Sequence, residues 1–402
     1  MNATLGVLRH RNFRFLAIGA GVNSLGNAIT PVALAFAVLD LGGSPTELGL
    51  VVASFALAEV VTTLFGGVLG DRVPRHLMMQ GSSAGAAVTQ TVIAASLIGG
   101  WSSIPLLAAI GALNGVMGAL SGPSSSALTP QTVPAEDLSS AVALRRLLQN
   151  GAQVLGFSVA GLLVAGFGPG WAIGIDAATF AIAGLSYHLI DVPAVTGGGE
   201  RQRMLAEMRE GAVEVFRHTW LWLLIGQALL YHLFYGGAQG VLGPIVVKKA
   251  IGEAAWGWAL AALMAGFMLG GLLNLRWRPK HGLRIGTACL ALTACFPLAM
   301  AVSDQLWVIL LGAALHGLGL EIFDQNWEIS IVQNVPPDKL ARVFSFDVVG
   351  SFVARPLGLA LTGPIATAVG YDTWLIVVAA VMGGSSLLAL SSRDVRRLVR
   401  TS

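Results

Sequence analysis

A short polar stretch between two apolar runs decides the fold of this chain. Its sequence is Gly66-Gly67-Val68-Leu69-Gly70-Asp71-Arg72-Val73-Pro74-Arg75-His76, and the apolar runs are residues 48–69 and 77–98. A charged side chain at the centre of a membrane helix costs roughly 2.5–3.5 kcal/mol. The acid and the two arginines of this stretch therefore predict a tight loop at a membrane surface, joining two helices that cross the bilayer.

The composition indicates an integral membrane protein. Of the 402 residues, 55% are hydrophobic and only 11% are charged, whereas about 25% of the residues of a soluble domain are charged. Apolar runs of about 20 residues, the length that spans a bilayer, recur along the whole chain. They predict an all-α protein with twelve membrane helices, at residues 13–39, 46–70, 76–99, 103–128, 138–166, 170–190, 219–247, 254–275, 282–302, 305–333, 340–368 and 372–391.

The positive charges indicate which side of the membrane each loop faces. If odd-numbered helices cross outward, every Lys and Arg lies on the inner side except Lys248, Lys249 and Arg355. Cytoplasmic loops carry such an excess of basic residues, so both termini and the central linker are predicted to be cytoplasmic. The basic residues are spread over short loops, so no nucleic-acid partner is expected. Arginine outnumbers lysine 20 to 4, which favours a GC-rich bacterium and hence the bacterial inner membrane.

The polar stretch resembles the signature loop between the second and third helices of the major facilitator superfamily. That pattern reads Gly-x-Leu-x-Asp-Arg-x-Gly-Arg-Arg/Lys, and the matching residues are Gly67, Leu69, Asp71, Arg72 and Arg75. Pro74 replaces the later glycine and His76 the final basic residue, so a stiffer turn is expected. The resemblance implies the major facilitator fold. It also implies a conformational latch on the cytoplasmic side, formed by Gly67, Asp71, Arg72 and Arg75.

An internal repeat divides the chain into two halves. The octapeptide Gln131-Thr132-Val133-Pro134-Ala135-Glu136-Asp137-Leu138 recurs 202 residues later as Gln333-Asn334-Val335-Pro336-Pro337-Asp338-Lys339-Leu340. A degenerate copy of the signature loop is Gly271-Leu272-Leu273-Asn274-Leu275-Arg276. Two pseudo-symmetric six-helix bundles, residues 1–190 and 219–402, are therefore predicted. Residues 191–218 form a cytoplasmic linker, in which apolar residues at helical spacing predict an amphipathic helix.

The tenth predicted helix carries the densest set of ionisable residues. At 100° per residue, one arc of about 100° contains Glu321, Asp324, Gln325 and Glu328. Arg355 lies at a depth similar to that of Glu321, so we expect it to pair with Glu321 or Asp324 in at least one state. Ionisable residues inside a membrane are costly and mark function by default. The proton-coupling candidates are Glu321, Asp324, Glu59, Glu328 and Arg355; a purely structural bridge between helices is the alternative.

Polar residues of other predicted helices are candidates for lining a substrate cavity. They are Asn23, Asn27 and Asn114 in the first half, and Gln227, Tyr231, Tyr235 and Gln239 in the second. Each is equally expected to join two helices by hydrogen bonding. Asp176, near the start of the sixth helix, is predicted to cap a helix or pair with a loop close to the outer surface. Asp347 lies nearer the cytoplasm, where pairing at a gate or snorkelling is expected.

Nothing in the sequence indicates an enzyme. The chain lacks the Gly-x-x-x-x-Gly-Lys-Ser/Thr phosphate loop, and its seven histidines have no metal-ligand spacing. We therefore predict no catalytic residues, no cofactor and no metal site.

Two stretches of the first half resemble bacterial drug and siderophore exporters of the same superfamily. They are Arg11-Asn12-Phe13-Arg14 and Ala35-Phe36-Ala37-Val38-Leu39-Asp40-Leu41-Gly42-Gly43-Ser44. The resemblance implies a monomeric multidrug-type antiporter in the lipid bilayer, in which proton entry drives efflux of a small, mostly apolar molecule by alternating access. Antiporters of this superfamily have a glycine-rich motif, and Phe157 stands where that motif has a proline. The fourth predicted helix also lacks an arginine that many proton-coupled members have. Both differences weaken the case for standard proton antiport. The alternatives are an importer or facilitator of a polar nutrient, and a non-transporting membrane sensor or assembly partner.

Overall fold

Helices account for the regular secondary structure wherever the chain is described, in residues 6–65, 74–192, 204–277, 279–337 and 339–400 of a computed structural model. The described chain divides into two compact units, residues 1–199 with 256–261, and residues 200–255 with 262–402. A helix satisfies its own backbone hydrogen bonds, which is what an apolar segment needs in lipid.

The first unit is built from α1 to α6. Their bounds are α1 (Arg11–Asp40), α2 (Pro45–Phe65), α3 (Arg75–Ile98), α4 (Ile104–Leu128), α5 (Leu138–Phe167) and α6 (Pro169–His188). α6 packs against α1 and α3, α5 packs against α1, and α4 packs against α2 and α3. Residues 66–73 lie outside the described chain, so the predicted latch residues Gly67, Asp71 and Arg72 have no structural description; Arg75 begins α3.

The second unit contains the remaining described helices, except that residues 256–261 of α10 belong to the first unit. Their bounds are α7 (Met204–Arg217), α8 (Thr219–Gly237), α9 (Gly243–Ala250), α10 (Glu253–Arg276), α11 (Gly282–Leu290), α12 (Cys295–Val302), α13 (Leu306–Asn334), α14 (Leu340–Phe352), α15 (Arg355–Val369), α16 (Tyr371–Ala389) and α17 (Arg393–Arg397). α13 packs against α11 and α12, and α8 packs against α14, α15 and α16.

Three predicted helices are each interrupted, and a proline explains each interruption. A π turn (Ala238–Leu242) separates α8 from α9, a 3-10 turn (Ala291–Ala294) separates α11 from α12, and two turn residues separate α14 from α15. Proline has no N–H, so the carbonyl four residues earlier loses its helical partner. For Pro244, Pro297 and Pro356 that carbonyl lies within or beside the interruption, where the helix winds differently.

Ten segments of the described chain are long and apolar enough to span a membrane. The two other predicted membrane helices correspond to α4 and α6, which are helical but are not among those ten. α6 carries Asp176 within its length. The prediction of an all-helical, multi-pass membrane protein is confirmed, while the count of twelve stays a prediction.

Glycines bring α13 and α10 into backbone contact. A Cβ atom on Gly317 would lie 1.9 Å from the carbonyl oxygen of Leu263, and one on Gly266 would lie 2.0 Å from that of Ala314. No other residue type fits at such distances. This close approach, which small residues allow between membrane helices, fixes the position of α13 beside α10.

The predicted amphipathic helix of the linker is α7, and it docks on the start of α14. Glu214, which is 5% exposed, accepts a hydrogen bond from Lys339 at 2.7 Å and from Arg217 at 3.2 Å. Glu210, which is exposed, pairs with Arg342. These contacts place α7 on the second unit.

Glu214→Gln should loosen this docking. Charged hydrogen bonds to a buried carboxylate contribute about 1.5–3 kcal/mol each, and the neutral amide cannot replace them. We expect faster deuterium exchange of the α7 amides. The matched control is Glu210→Gln, because an exposed ion pair contributes only about 0–1 kcal/mol. The hydrogen bond from Lys339 also lowers the pKa of Glu214, so in the wild type the stabilisation is present at neutral pH and is lost as the pH falls through that lowered value. Equal α7 protection in the two variants would contradict this role.

Gly317→Ala should destabilise the second unit. Its added methyl group overlaps a backbone oxygen of α10, and such overpacking costs about 1–3 kcal/mol. Gly226→Ala in α8 is the control, since its Cβ would meet nothing within 4 Å. Thermal unfolding in detergent should give a lower midpoint for Gly317→Ala than for Gly226→Ala; the reverse order would show that the helices separate without cost.

Candidate functional site

The polar stripe predicted from spacing lies along one side of α13. Asp324 and Glu328 are exposed, and Glu321 and Gln325 are half-buried. The intervening positions are buried; they are Ile322, Phe323, Asn326 and Trp327. The three acids are therefore on the side of the helix that is turned away from the packed core of the second unit.

Glu321 is held between its own helix and α10. Gln325 Nε2 donates a hydrogen bond to Glu321 Oε1, one helical turn away. Asn274 Nδ2 of α10 donates to the backbone oxygen of Glu321 at 3.4 Å. A Cβ on Gly271 would lie 3.4 Å from Glu321 Oε1, so a small residue here leaves room for the carboxylate. Asn274 and Gly271 both belong to the degenerate copy of the signature loop.

A fourth acid joins the group from α14. Asp347 Oδ2 accepts a hydrogen bond from Trp327 Nε1 at 3.0 Å, and its Oδ1 accepts one from Ser351 at 3.3 Å. Asp324 is within electrostatic reach of Glu321, Glu328 and Asp347. Repulsion among carboxylates this close is relieved when one of them binds a proton, so the arrangement suits proton uptake and release.

Arg355, which the sequence analysis expects to pair with Glu321 or Asp324, is the first residue of α15. Its stem packs over Gly236, where a Cβ would lie 3.2 Å from Arg355 Cγ. Arg355 and Asp324 both interact electrostatically with Tyr231. Pairing of Arg355 with Glu321 or Asp324 in at least one state stays a prediction.

A buried tyrosine–histidine cluster lies beside the acids and was not predicted as a unit. Tyr231 Oη and His316 Nε2 are hydrogen-bonded at 2.7 Å, and His316 is fully buried. The ring of Tyr235 stacks at 4.2 Å from that of His316. The sequence signal was available, since both tyrosines are one turn apart in α8 and His316 lies in α13, but the sequence does not show that these helices meet.

The remaining cavity candidates divide into buried and accessible residues. Gln227 is 5% exposed and donates to Ser386 of α16 at 3.3 Å, so with Tyr231 and Tyr235 it binds neighbouring helices in this structure. Asn114 accepts from Thr89 at 2.6 Å. The other candidates are more accessible to solvent. Asn27 is exposed, and Asn23, Gln239 and Glu59 are half-buried.

Asp176 corrects a prediction. It was expected to cap a helix or pair with a loop near the surface, but its side chain is fully buried. It accepts hydrogen bonds from Thr30 of α1 and Gln90 of α3. The prediction was wrong because position along a helix does not show which way a side chain points.

These observations define a class of protein. Ten apolar spans in the described chain, with carboxylates along one side of α13, describe a multi-pass membrane protein with ionisable residues inside its membrane segments. The sequence profile described as Major Facilitator Superfamily matches residues 16–248. The chain therefore belongs to the major facilitator superfamily, whose members are transporters and not enzymes.

The chain is similar to several named members over most of its length. It is 27% identical to the MFS-type transporter y4rN of Sinorhizobium fredii over 362 residues, 88% of each protein. It is 22% identical to macrolide efflux protein A of Streptococcus pyogenes, over 96% of this chain and 97% of that protein. The solved structure of the nucleoside transporter NupG has a TM-score of 0.70 at 14% identity, covering 97% of this chain and 99% of that one.

Tyr231→Phe should destabilise the second unit, and Tyr235→Phe should not. Removing the Tyr231 hydroxyl leaves a buried nitrogen of His316 without its partner, at a cost of about 1–3 kcal/mol. Tyr235 Oη has no hydrogen-bond partner among the described residues, so its loss costs nothing comparable. Thermal unfolding of both variants in detergent measures the difference, and equal midpoints would show that the histidine finds another donor.

Proposed function

We propose that this protein is a secondary active transporter that exports a small, mostly apolar molecule, such as a drug, a siderophore or a secondary metabolite, in exchange for protons. The observation that carries the proposal is the group of carboxylates on α13 and α14, inside segments that otherwise suit a membrane. A carboxylate in an apolar bundle is retained when its protonation has a use.

The acids of the second unit are the proposed coupling residues. When Asp324 or Glu321 binds a proton, the group loses one negative charge and its desolvation costs less. The conformational change of alternating access then proceeds with a neutral site. Tyr231, in electrostatic reach of both Asp324 and Arg355, is placed to respond to that change of charge. Glu59 and Glu328 are the further proposed members of the proton path.

Export rather than import is favoured by the relatives. Macrolide efflux protein A is named for the efflux of macrolides, and its similarity extends over nearly the whole chain. The proposed latch of Gly67, Asp71, Arg72 and Arg75 follows from the same family membership. The proposed setting is the inner membrane of a bacterium, with both termini cytoplasmic, and a monomer that contains two six-helix bundles.

Glu321→Gln and Asp324→Asn should uncouple transport from the pH gradient. Purified protein in sealed vesicles would be tested with the macrolide erythromycin and an imposed pH gradient. We expect gradient-driven accumulation to fall to the level of protein-free vesicles in at least one variant, because a neutral amide cannot exchange a proton. Transport down an erythromycin gradient should persist.

The control for these variants is Asp304→Asn, an exposed acid in the loop before α13. It should accumulate erythromycin as the wild type does. Unchanged gradient-driven transport in both Glu321→Gln and Asp324→Asn would remove these residues from coupling. Absence of any transport by the folded wild type, across a panel of apolar and polar compounds, would favour a sensor or an assembly partner.

A further inference from the structure

The first unit holds a buried carboxyl group that the proposed acids on α13 do not explain. Asp176 of α6 is fully buried, between α1 and α3. Its Oδ2 accepts hydrogen bonds from Thr30 Oγ1 and, at 2.8 Å, from Gln90 Nε2. Its Oδ1 accepts a third from Thr179 Oγ1 at 3.1 Å. All its bonding partners are uncharged.

The packing around Asp176 is shaped for this carboxyl group. A Cβ on Gly26 of α1 would lie 2.0 Å from Asp176 Oδ1 and 2.0 Å from Thr179 Oγ1. Any side chain at position 26 would therefore displace the group. The absence of a Cβ lets α1 approach α6 closely enough for Thr30 to reach the acid one turn further along the helix.

No positive charge stands near Asp176 in the described helices around it. The ionisable groups of α1, α3, α5 and α6 lie toward the helix ends: Arg11, Arg14, Asp40, Arg75, His76, Arg145, Arg146, Tyr187 and His188. At 1.5 Å per residue, each is about 15 Å or more along its helix from the level of the cluster. An unpaired buried carboxylate costs several kcal/mol, whereas a hydrogen-bonded carboxylic acid does not.

Gln90 is able to serve both charge states of the acid. It is 2% exposed, its Nε2 also donates to Thr30 at 2.9 Å, and its Oε1 has no hydrogen-bond partner among the described residues. In the present orientation the amide N–H stabilises a carboxylate. Turning the amide over would place Oε1 where it accepts a hydrogen bond from the O–H group of the neutral acid.

Thr30 connects the buried acid with an accessible side of α1. Its side chain is half-buried, and at helical spacing it shares one side of the helix with half-buried Asn23 and exposed Asn27. Pro31 follows on the same side and is exposed. It has no N–H, so the Asn27 carbonyl lacks its helical partner. A hydroxyl group can accept a proton from water on one side and give its own to Asp176.

We propose that Asp176, Thr30 and Gln90 form a second proton-binding site, separate from the acids of α13. A hydronium ion gives a proton to Thr30 Oγ1 and becomes water, the original Thr30 hydroxyl proton moves to Asp176 Oδ2, and the carboxylate becomes a carboxylic acid. Release runs the same steps in reverse. The oxygens bond one another directly, so the site suits a proton and leaves no space for a metal ion. A role of this site in coupling transport to protons rests on the proton exchange proposed above. The binding of a proton by Asp176 does not depend on that proposal.

Infrared difference spectroscopy of the purified protein tests the site without any transported substrate. Stepping the pH should change the carbonyl band of a buried carboxylic acid in the wild type, and this change should be absent in Asp176→Asn. Thr30→Val, which keeps the shape but removes the hydroxyl, should shift the band and slow its appearance. Thr91→Val is the control, because Thr91 is exposed and its hydroxyl donates to the Ala87 carbonyl of its own helix.

Each result decides the matter. An unchanged difference spectrum in Asp176→Asn would overturn the proposal, as would loss of the acid band when sodium is added at constant pH. Should Asp176→Asn fail to fold, an unshifted band in Thr30→Val would overturn it equally. If the band behaves as expected but the Glu321 and Asp324 variants stay coupled, the proposed role of α13 fails and this site stands.

Discussion

An ionisable side chain inside an apolar helix bundle must be hydrogen-bonded, paired or close to water, and this requirement arranges both units of the protein. The cost of leaving such a group unsatisfied is several kcal/mol, comparable with the whole stability of many domains. In the first unit Asp176 meets the requirement with three uncharged donors from α1, α3 and α6. In the second unit the acids of α13 meet it by lying on the exposed side of the helix, with Gln325 and Asn274 beside Glu321. The two solutions have different consequences, since only the second keeps the carboxylates accessible.

The second solution depends on how closely the helices approach. Backbone contact at Gly317 and Gly266 holds α13 against α10 in one rotational setting. Rotating α13 by half a turn would bury Asp324 and Glu328 and expose Ile322 and Trp327. The bond from Trp327 to Asp347 reinforces the same setting from α14. Glycine packing, which looks like a matter of stability, therefore decides which side chains of α13 are accessible.

The positions of the helix interruptions also follow from the chemistry of proline. Each of three prolines removes a backbone donor, and the chain rewinds or stops near the carbonyl that lost its partner. One such interruption makes Arg355 the first residue of α15, and another puts Gln239 in a π turn. Residues that matter for the proposed function thus stand at irregular points, where backbone groups are free to change partners. The docked helix α7 adds a charged contact between the linker and α14, outside the membrane spans.

The sequence alone determined the helical class, the approximate bounds of most helices, and the polar stripe of α13, because hydropathy and a period of 3.6 residues are local properties. It also determined the family, since the signature loop and the repeat are read directly from residues. It did not determine the partners of any buried polar group. Thr30 and Asp176 are 146 residues apart in the chain, and Tyr231 and His316 are 85 apart. Hydropathy shows that a segment lies in the bilayer but not which neighbour it meets or how it is rotated, because the lipid-facing and protein-facing sides are similarly apolar. Only the tertiary structure decided that Asp176 is buried among uncharged donors and that Tyr231 binds His316.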